Sequence, residues 1–379
     1  MPTPPITTLR IQGFKSLVDV QLQPRQLNIF IGKPNVGKSN ILEALSLLGA
    51  GYSRAEKFMG EFIRYEEPNQ LLTDGVAGSE ARISTNLGEA QLWTPYGSTD
   101  VVLSVGFSDY TNAFYSIHHT ESAQDAHYAI LRLEEVKSHI DALSEEHIWP
   151  VSILSGSLDS TGKLQYLDGP HTYGSKVRKY EFRREQTHSK RDAGQLLPPY
   201  GGNLFEVMKN HRRLRQEATA LFDPHRIQLV LRMTNRTIET QKNINGDVYS
   251  YPLSSTTDTF QRFIFHLAAI ESNEGSVLLF EEPETGSFPT YISQLAERIA
   301  EDVREARNQY FITTHSPYLL DQLIENTSAD QVAVFIVGYA DYQTTVTQIP
   351  DDQLGHLLDL SSDVFFNLNR LPLTDADAA

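Results

Sequence analysis

The most constraining feature of the sequence is the segment at residues 32–39, Gly-Lys-Pro-Asn-Val-Gly-Lys-Ser. It matches the phosphate-loop pattern G-x-x-x-x-G-K-[ST]. The preceding residues 27–31 have the composition of a strand, and residues 40–48 carry apolar side chains at helical spacing. A strand, a glycine-rich loop and a helix in this order predict a site for a nucleoside triphosphate, with an ordinary glycine turn as the alternative.

Each part of this segment has a chemical role in the predicted site. Backbone N–H groups of the loop and the positive end of the helix would surround the β and γ phosphates of ATP. The Lys38 ammonium would neutralise phosphate charge, and the Ser39 hydroxyl would be a ligand of Mg²⁺. The predicted nucleotide-binding residues of this segment are Gly32, Lys33, Pro34, Asn35, Val36, Gly37, Lys38, Ser39 and Asn40.

Two carboxylates follow a second apolar run far downstream. Residues 276–280, Ser-Val-Leu-Leu-Phe, predict a buried parallel strand, and Glu281 and Glu282 follow it directly. This is the Walker B arrangement. Glu281 would hold Mg²⁺ directly or through water, and Glu282 would orient or deprotonate the attacking water. The alternative is that the acidic pair merely begins a solvated helix.

A histidine occupies a similar position after a third predicted strand. Residues 308–314 have strand composition, and His315 follows with Ser316 and Pro317. Ligand-contacting residues of open α/β sheets gather at the carboxyl ends of the strands. His315 could therefore touch the γ phosphate or the lytic water, although a lone histidine is more often structural. Glu282 and His315 are the predicted catalytic residues.

Together these motifs resemble the ABC-type ATPase heads of the RecF, SMC and OLD group, above all the compact OLD-like ATPases common in bacterial defence loci. The segments that carry the resemblance extend over nearly the whole chain. They are Leu-Arg-Ile-Gln-Gly-Phe-Lys-Ser-Leu at 9–17, the loop and helix at 31–45, Leu-Pro-Pro-Tyr-Gly-Gly-Asn-Leu at 197–204, Glu-Glu-Pro-Glu at 281–284 and Thr-Thr-His-Ser-Pro at 313–317.

The resemblance implies an α/β fold of the P-loop NTPase type: an ABC-ATPase-like, two-lobed head with a mixed central sheet and a central α/β insertion. It implies a homodimer, or a higher oligomer, in which two heads enclose two ATP molecules with Mg²⁺. Each phosphate loop would be completed by a signature segment of the opposite subunit. The resemblance also favours a separate effector protein, either nuclease-like or a toxin.

The signature segment departs from the family pattern. The matching stretch is 253–263, in which Ser255 and Asp258 are the expected nucleotide-binding residues and Thr259 stands where the family has glycine. A threonine side chain blocks the close backbone approach that glycine permits. Hydrolysis would therefore be slow, or ATP would act mainly as a clamp. Alternatively, residues 254–258 only cap a helix over 259–270.

Motif positions divide the chain into three parts. Residues 1–106 form a predicted nucleotide-binding lobe, 107–250 a predicted insertion or regulatory region, and 251–379 a predicted lobe with the signature-like, Walker B and histidine segments. The middle part contains a predicted strand at 128–133 and a predicted helix at 133–148. It lacks sustained heptads, so long coiled-coil arms are not expected.

Charge is distributed unevenly along the chain. The net charge of −16 argues against a surface that coats DNA, because phosphate repulsion would have to be overcome locally. Between Lys176 and Arg215, however, eleven Lys or Arg residues stand against four acids. The aromatic and basic cluster at 176–184 could bind DNA. A solvated strand face and a site for an acidic partner are the alternatives.

Composition bears on where in the cell the protein is expected. The absence of cysteine excludes disulfides and Cys-based zinc sites. No apolar run approaches the roughly 20 residues of a membrane span. The first five residues also lack the features of a secretory signal. A cytoplasmic location without a membrane partner is therefore expected.

Four functional classes are compatible with the motifs. The favoured one is an ATP-gated dimeric switch in an antiphage or DNA-surveillance complex that controls a separate effector. The second is a RecF- or SMC-type repair ATPase that binds DNA directly. The third is the ATP-binding subunit of a transporter, which the segment at 13–16 and the Glu281–Glu282 pair fit poorly. An OLD-type nuclease would need a further domain of about a hundred residues or more, whereas only about sixty follow His315.

Overall fold

The structure is a computed structural model that describes residues 6–53, 56–73, 75, 78–94, 100–107, 152–168, 176–184, 194–360 and 365. The strand predicted at 128–133 and the helix predicted at 133–148 lie outside these residues. Within the described part, no helix is long and apolar enough to cross a membrane.

The described elements are runs of strands separated by helices, with strict alternation only from the fourth helix to the last strands. The strands are β1 (Leu9–Phe14), β2 (Leu17–Leu22), β3 (Leu27–Gly32), β4 (Glu80–Thr85), β5 (Gly88–Trp93), β6 (Val101–Phe107), β7 (Ser152–Leu158), β8 (Leu164–Asp168), β9 (Val177–Tyr180), β10 (Gln228–Arg232), β11 (Thr237–Ile244), β12 (Asp247–Pro252), β13 (Val277–Glu281), β14 (Gln309–Thr313), β15 (Val332–Ala340) and β16 (Gln343–Gln348). The helices are α1 (Lys38–Ser46), α2 (Leu204–Asn210), α3 (Arg212–Ala220), α4 (Asp258–Glu271), α5 (Pro289–Arg304), α6 (Pro317–Asn326) and α7 (Leu354–Leu360). Short 3₁₀ helices cover Leu47–Tyr52, Pro68–Leu71, Asp223–His225, Leu253–Ser255 and Asp351–Gln353.

The central sheet is mixed, as predicted. Its order is β16-β15-β3-β14-β13-β9, with the last five strands parallel and β16 antiparallel at the edge. Strands β3, β13, β14 and β15 are rich in apolar residues, as expected where both faces of a sheet are covered. In β13, Leu278 and Phe280 pack on one face and Leu279 on the other, and all three are fully buried.

Two further sheets are antiparallel throughout. One has the order β2-β1-β4-β5-β6-β7-β8, and the other is the three-stranded sheet β10-β11-β12. Helix α1 shares a core with one face of the central sheet and with the seven-stranded sheet, through Ile41, Phe30 and Ile83. On the opposite face of the central sheet, α4, α5 and α6 form a second core through Leu267, Ile299 and Leu320.

The sheets do not follow the three predicted parts of the chain. Strand β9, from the predicted insertion at 107–250, pairs in parallel with β13 of the Walker B segment. The reason is burial: all four residues of β9 are buried, so this segment completes the core of the central sheet. The division at residues 106 and 250 remains a prediction.

Three motifs meet at one edge of the central sheet. Strands β3, β14 and β13 are neighbours, with Phe30 paired to Thr313 and Thr313 paired to Glu281. Because these strands are parallel, their carboxyl ends lie side by side. The phosphate loop, the acidic pair and His315 therefore come from distant parts of the sequence to a single location.

Candidate nucleotide-binding site

The phosphate loop depends on glycine where it enters helix α1. Gly37 precedes the helix with a φ of 98°, in the left-handed region that glycine adopts without strain. A Cβ atom at this position would lie 2.1 Å from the Thr344 hydroxyl oxygen. Gly37 thus meets both a conformational and a steric requirement, and the loop places the amino end of α1 against the site.

Lys38 is buried and turned back over the loop. Its Nζ donates to the carbonyl oxygens of Gly32 at 3.0 Å and Lys33 at 2.7 Å. Desolvation lowers the pKa of Lys38 to about 8, although Glu282 and Glu281 oppose this shift. The ammonium is bonded to neutral carbonyls, so a phosphate group would be a stronger partner than either.

The lowered pKa of Lys38 predicts that ATP affinity falls as the pH rises above about 8. Below that pH the free protein already carries the charge. Above it, a proton must be taken up on binding, which costs up to about tenfold in affinity per pH unit. ATP titrations between pH 7.5 and 9.5 measure this dependence. The Lys38→Arg variant should lose the dependence, and a flat wild-type profile would contradict the assignment.

Ser39 and Glu281 form the predicted metal-binding pair. The Ser39 hydroxyl donates to Oε1 of Glu281 at 2.5 Å. Although desolvation alone would raise it, Lys179, the Ser39 hydrogen bond and Arg64 lower the pKa of Glu281 to about 2. A hydroxyl and an ionised carboxylate are hard oxygen ligands of the kind Mg²⁺ prefers, so these residues fit the ion.

Glu282 and His315 face each other beside this pair. The Glu282 backbone adopts a φ of 43°, and its N–H donates to the carbonyl of Thr313 at 3.0 Å. His315 Nε2 lies 3.4 Å from Glu282 Oε1. Desolvation and the Lys38 charge lower the pKa of His315, whereas Glu282 opposes them. A neutral imidazole and a half-exposed carboxylate thus stand together at the strand ends.

Glu284 positions the histidine, a role that the sequence analysis missed. Its Oε1 accepts hydrogen bonds from the Thr314 hydroxyl at 2.6 Å and from the His315 backbone N–H at 3.2 Å. Burial raises the pKa of Glu284. The third carboxylate of the Glu-Glu-Pro-Glu segment could have indicated this role from the sequence. Glu284 connects the segment after β13 to the turn after β14.

A cavity of about 400 Å³ opens beside Ser39 and the acidic pair. Charged side chains of both signs line it, from the segment after α1, from β9 and the residues after it, and from α4. They are Glu61, Arg64, Lys179, Glu181, Arg183, Arg262, Glu281 and Glu282. The cavity is therefore continuous with the predicted metal and catalytic groups.

The back of the phosphate loop is held by residues from both ends of the chain. The Thr344 hydroxyl donates to the Val36 carbonyl at 2.8 Å and lies 2.7 Å from the Ser16 hydroxyl. Asn40 donates to the same Ser16 oxygen at 2.8 Å, so its side chain supports the loop. The segment at 9–17 indicated Ser16, but nothing in the sequence indicated Thr344.

The signature-like residues lie apart from the phosphate loop of their own chain. Helix α4 begins at Asp258 after Thr257, which makes no side-chain cap. The Thr259 hydroxyl donates to the Gly286 carbonyl at 3.2 Å. Across the residues described above, no hydrogen bond or ion pair joins Ser255 or Asp258 to the loop. The phosphate-binding role of these two residues remains a prediction.

Four residues of the aromatic and basic cluster at 176–184 are buried in β9, so this part is not an open surface for DNA, whereas Arg183 and Arg184 are exposed. DNA binding by the cluster remains a prediction. Strand β9 lies within the core, where Arg178 donates to Ser276 and Lys179 pairs with Glu281. Farther along the basic stretch, Arg213 pairs with Glu217 and Glu301. These cations are occupied by intramolecular partners.

The fold and the geometry of the loop define a P-loop NTPase. Residues 27–321 match the family model described as "AAA domain, putative AbiEii toxin, Type IV TA system". This match spans well over half of the chain, and the protein belongs to that family. No curated protein sequence matches the chain.

Solved structures with a similar fold include heads of SMC proteins. An SMC head bound to the C-terminal winged-helix domain of ScpA is 14% identical, covers 91% of this chain and 98% of its own, and has a TM-score of 0.47. The SMC head domain from Thermotoga maritima is 11% identical, with 92% and 100% coverage and a TM-score of 0.40. An SMC head with an extended coiled coil, bound to the C-terminal domain of ScpA derived from Pyrococcus furiosus, is 12% identical, with 95% and 99% coverage and a TM-score of 0.44.

Proposed function

We propose that the protein binds ATP with Mg²⁺, hydrolyses it, and uses ATP-dependent dimerisation to control a separate effector in a bacterial defence or DNA-surveillance complex. One observation carries the proposal. Lys38, the Ser39–Glu281 pair and the Glu282–His315 pair meet at one edge of the central sheet, although they come from three distant segments.

The chemistry of each group follows from its environment. Lys38 would leave the loop carbonyls for the phosphates, because a charged acceptor binds an ammonium more strongly. A bound Mg²⁺ held by Ser39 and Glu281 would supply Lewis-acid stabilisation of phosphate charge. Glu282, whose carboxylate is 40% exposed, would accept or orient a proton of the attacking water. His315 would position that water or the γ phosphate.

The position of the signature-like segment supports a dimer. Among the described residues, Ser255 and Asp258 form no hydrogen bond or ion pair with the phosphate loop of their own chain, and in the proposal the loop of a second copy receives them. The Ser255 segment lines a separate, largely apolar cavity. Thr259 at the start of α4 would keep trans-activated hydrolysis slow, because its side chain occupies space that a glycine would leave open.

The family description places the proposal in a toxin–antitoxin or defence setting. It names a putative AbiEii toxin of a type IV toxin–antitoxin system. The sequence resemblance to OLD-like defence ATPases points in the same direction. Strands β15 and β16, which follow His315, belong to the ATPase sheet. The proposal gives the effector function to a partner protein, nuclease-like or a toxin, as the resemblance favours.

Direct DNA binding is the weaker alternative. A RecF- or SMC-type role would use the stretch from Lys176 to Arg215. Arg178 and Lys179 are buried, and Arg213 is paired with two carboxylates. These three cations are engaged within the protein and would contribute little to DNA affinity, which leaves the exposed Arg183 and Arg184 as the candidates for phosphate contact.

Phosphate release from ATP by the purified protein tests the proposal. We expect Mg²⁺-dependent turnover that is lost on chelation with EDTA. The exposed Lys163, which pairs with Glu56 away from this cavity, provides a control, and Lys163→Ala should retain wild-type turnover. Absence of turnover together with absence of ATP binding would contradict the proposal, whereas binding without turnover would leave ATP as a clamp.

A further inference from the structure

Glu281 has more partners than a metal-binding carboxylate needs. The Ser39 hydroxyl and Arg64 Nη2 both contact Oε1, at 2.5 and 2.7 Å. Lys179 Nζ lies 3.0 Å from the other oxygen, Oε2. Two cations therefore occupy the carboxylate that the proposed function assigns to Mg²⁺.

The two cations are held in different ways. The Lys179 side chain is 3% exposed and also donates to the Phe62 carbonyl at 2.9 Å. The Arg64 side chain is 69% exposed, and its Nε lies 2.9 Å from Oε1 of the buried Glu43. Lys179 is thus fixed by β9, whereas Arg64 can leave Glu281 while it remains on Glu43.

The local charge does not favour a free divalent cation. Glu281 and Glu43 carry two negative charges, whereas Lys15, Arg64 and Lys179 carry three positive ones within the same network. Among the described residues, no group of three or more acidic or histidine side chains could hold a metal. A divalent ion arriving alone at Glu281 would meet a neutralised carboxylate and two repelling cations.

A purely stabilising role explains this arrangement poorly. Taking an ammonium and a carboxylate out of water is costly, and buried ion pairs are often replaced by apolar residues without loss of stability. A methionine at position 179 would preserve much of the packing of β9. The charge on Lys179 is therefore better explained by what it does to Glu281.

We propose that Lys179 and Arg64 are counter-cations of Glu281 that make metal binding depend on nucleotide. Lys179 is a positioning residue that holds Oε2 and leaves Oε1 and the Ser39 hydroxyl facing the cavity. Arg64 covers Oε1 until nucleotide phosphates arrive and supply the negative charge that the site lacks. This inference rests on the proposed ATP-binding function and adds the order in which its ligands bind.

Binding of Mn²⁺ to the full-length protein tests the inference without relying on activity. It is measured by electron paramagnetic resonance of the free ion without nucleotide, and as protein-bound Mn²⁺ after gel filtration with ATP. We expect wild-type protein to bind Mn²⁺ weakly alone and tightly with ATP. Lys179→Met and Arg64→Gln should each strengthen nucleotide-free Mn²⁺ binding by about tenfold or more, because each removes one repelling charge. Lys179→Arg should restore weak binding.

A lysine of the same basic stretch gives the matched control. Lys209 pairs with Glu206 on α2 and does not line the cavity, so Lys209→Met should leave Mn²⁺ binding unchanged. If neither Lys179→Met nor Arg64→Gln binds nucleotide-free Mn²⁺ more tightly than the wild type, the inference is overturned. If Lys179→Met fails to fold, the result for Arg64→Gln, at an exposed side chain, is decisive. Wild-type protein that binds Mn²⁺ tightly without nucleotide also overturns it. Failure to bind Mn²⁺ with ATP would instead contradict the proposed function.

Discussion

Replacement of Lys38 by alanine should weaken ATP binding by about 100-fold or more. The ammonium is the buried cation of the phosphate loop, and it is bonded only to the carbonyls of Gly32 and Lys33. Loss of one partner from a buried, charge-assisted contact costs about 2–5 kcal/mol. Fluorescence titration with a labelled ATP analogue measures the change.

A control variant and a stability measurement show whether ATP affinity falls through loss of the Lys38 charge or through damage to the fold. Lys163→Ala removes an exposed lysine that pairs with Glu56 and should retain wild-type affinity. Thermal unfolding of Lys38→Ala should show little loss of stability, because the cost of desolvating this ammonium exceeds the attraction of Glu282 and Glu281. ATP affinity equal to that of the wild type in a folded Lys38→Ala protein would refute the phosphate-loop assignment.

The change Glu282→Gln should lower the turnover number by about 100-fold or more while ATP affinity changes by less than about threefold. The amide keeps the shape of the side chain but cannot accept a proton from water, and general base catalysis typically contributes about 10²–10⁴-fold. Single-turnover phosphate release and equilibrium ATP binding, measured on the same protein, separate the two effects.

Glu274→Gln provides the matched control, since Glu274 is an exposed carboxylate just before the same strand. It should leave turnover unchanged. Wild-type turnover by Glu282→Gln would transfer the catalytic role to Glu281 or His315. A loss of ATP binding in Glu282→Gln would instead place this carboxylate in the binding of the nucleotide.

The sequence predicted the central part of the site because each motif stands at the end of a buried strand. Lys38, Ser39, Glu281, Glu282 and His315 could be placed together by one rule, that parallel strands present their carboxyl ends at the same edge. The mixed central sheet was implied by the resemblance to ABC-type ATPase heads, and the structure has it. Each motif can be recognised from its own short segment of sequence, and the parallel order of the strands brings the motifs together.

Other parts of the site depend on pairings that no local signal encodes. Lys179 reaches Glu281 because β9 lies in parallel beside β13, nearly a hundred residues away in sequence. The order of basic and aromatic residues in this segment is the same whether the segment lies on a surface or in a core. Its burial therefore could not be predicted from its charge. Arg64 and Thr344 likewise reach the site through tertiary packing.

ATP should close two copies of this chain around the nucleotide. The mass of the Glu282→Gln protein in solution, determined by light scattering with and without Mg-ATP, measures this dimerisation. We expect a monomer without nucleotide and a dimer with Mg-ATP, and we expect ADP not to substitute for ATP. A mass that does not change with ATP, in a protein shown to bind it, would contradict the account of an ATP-gated switch.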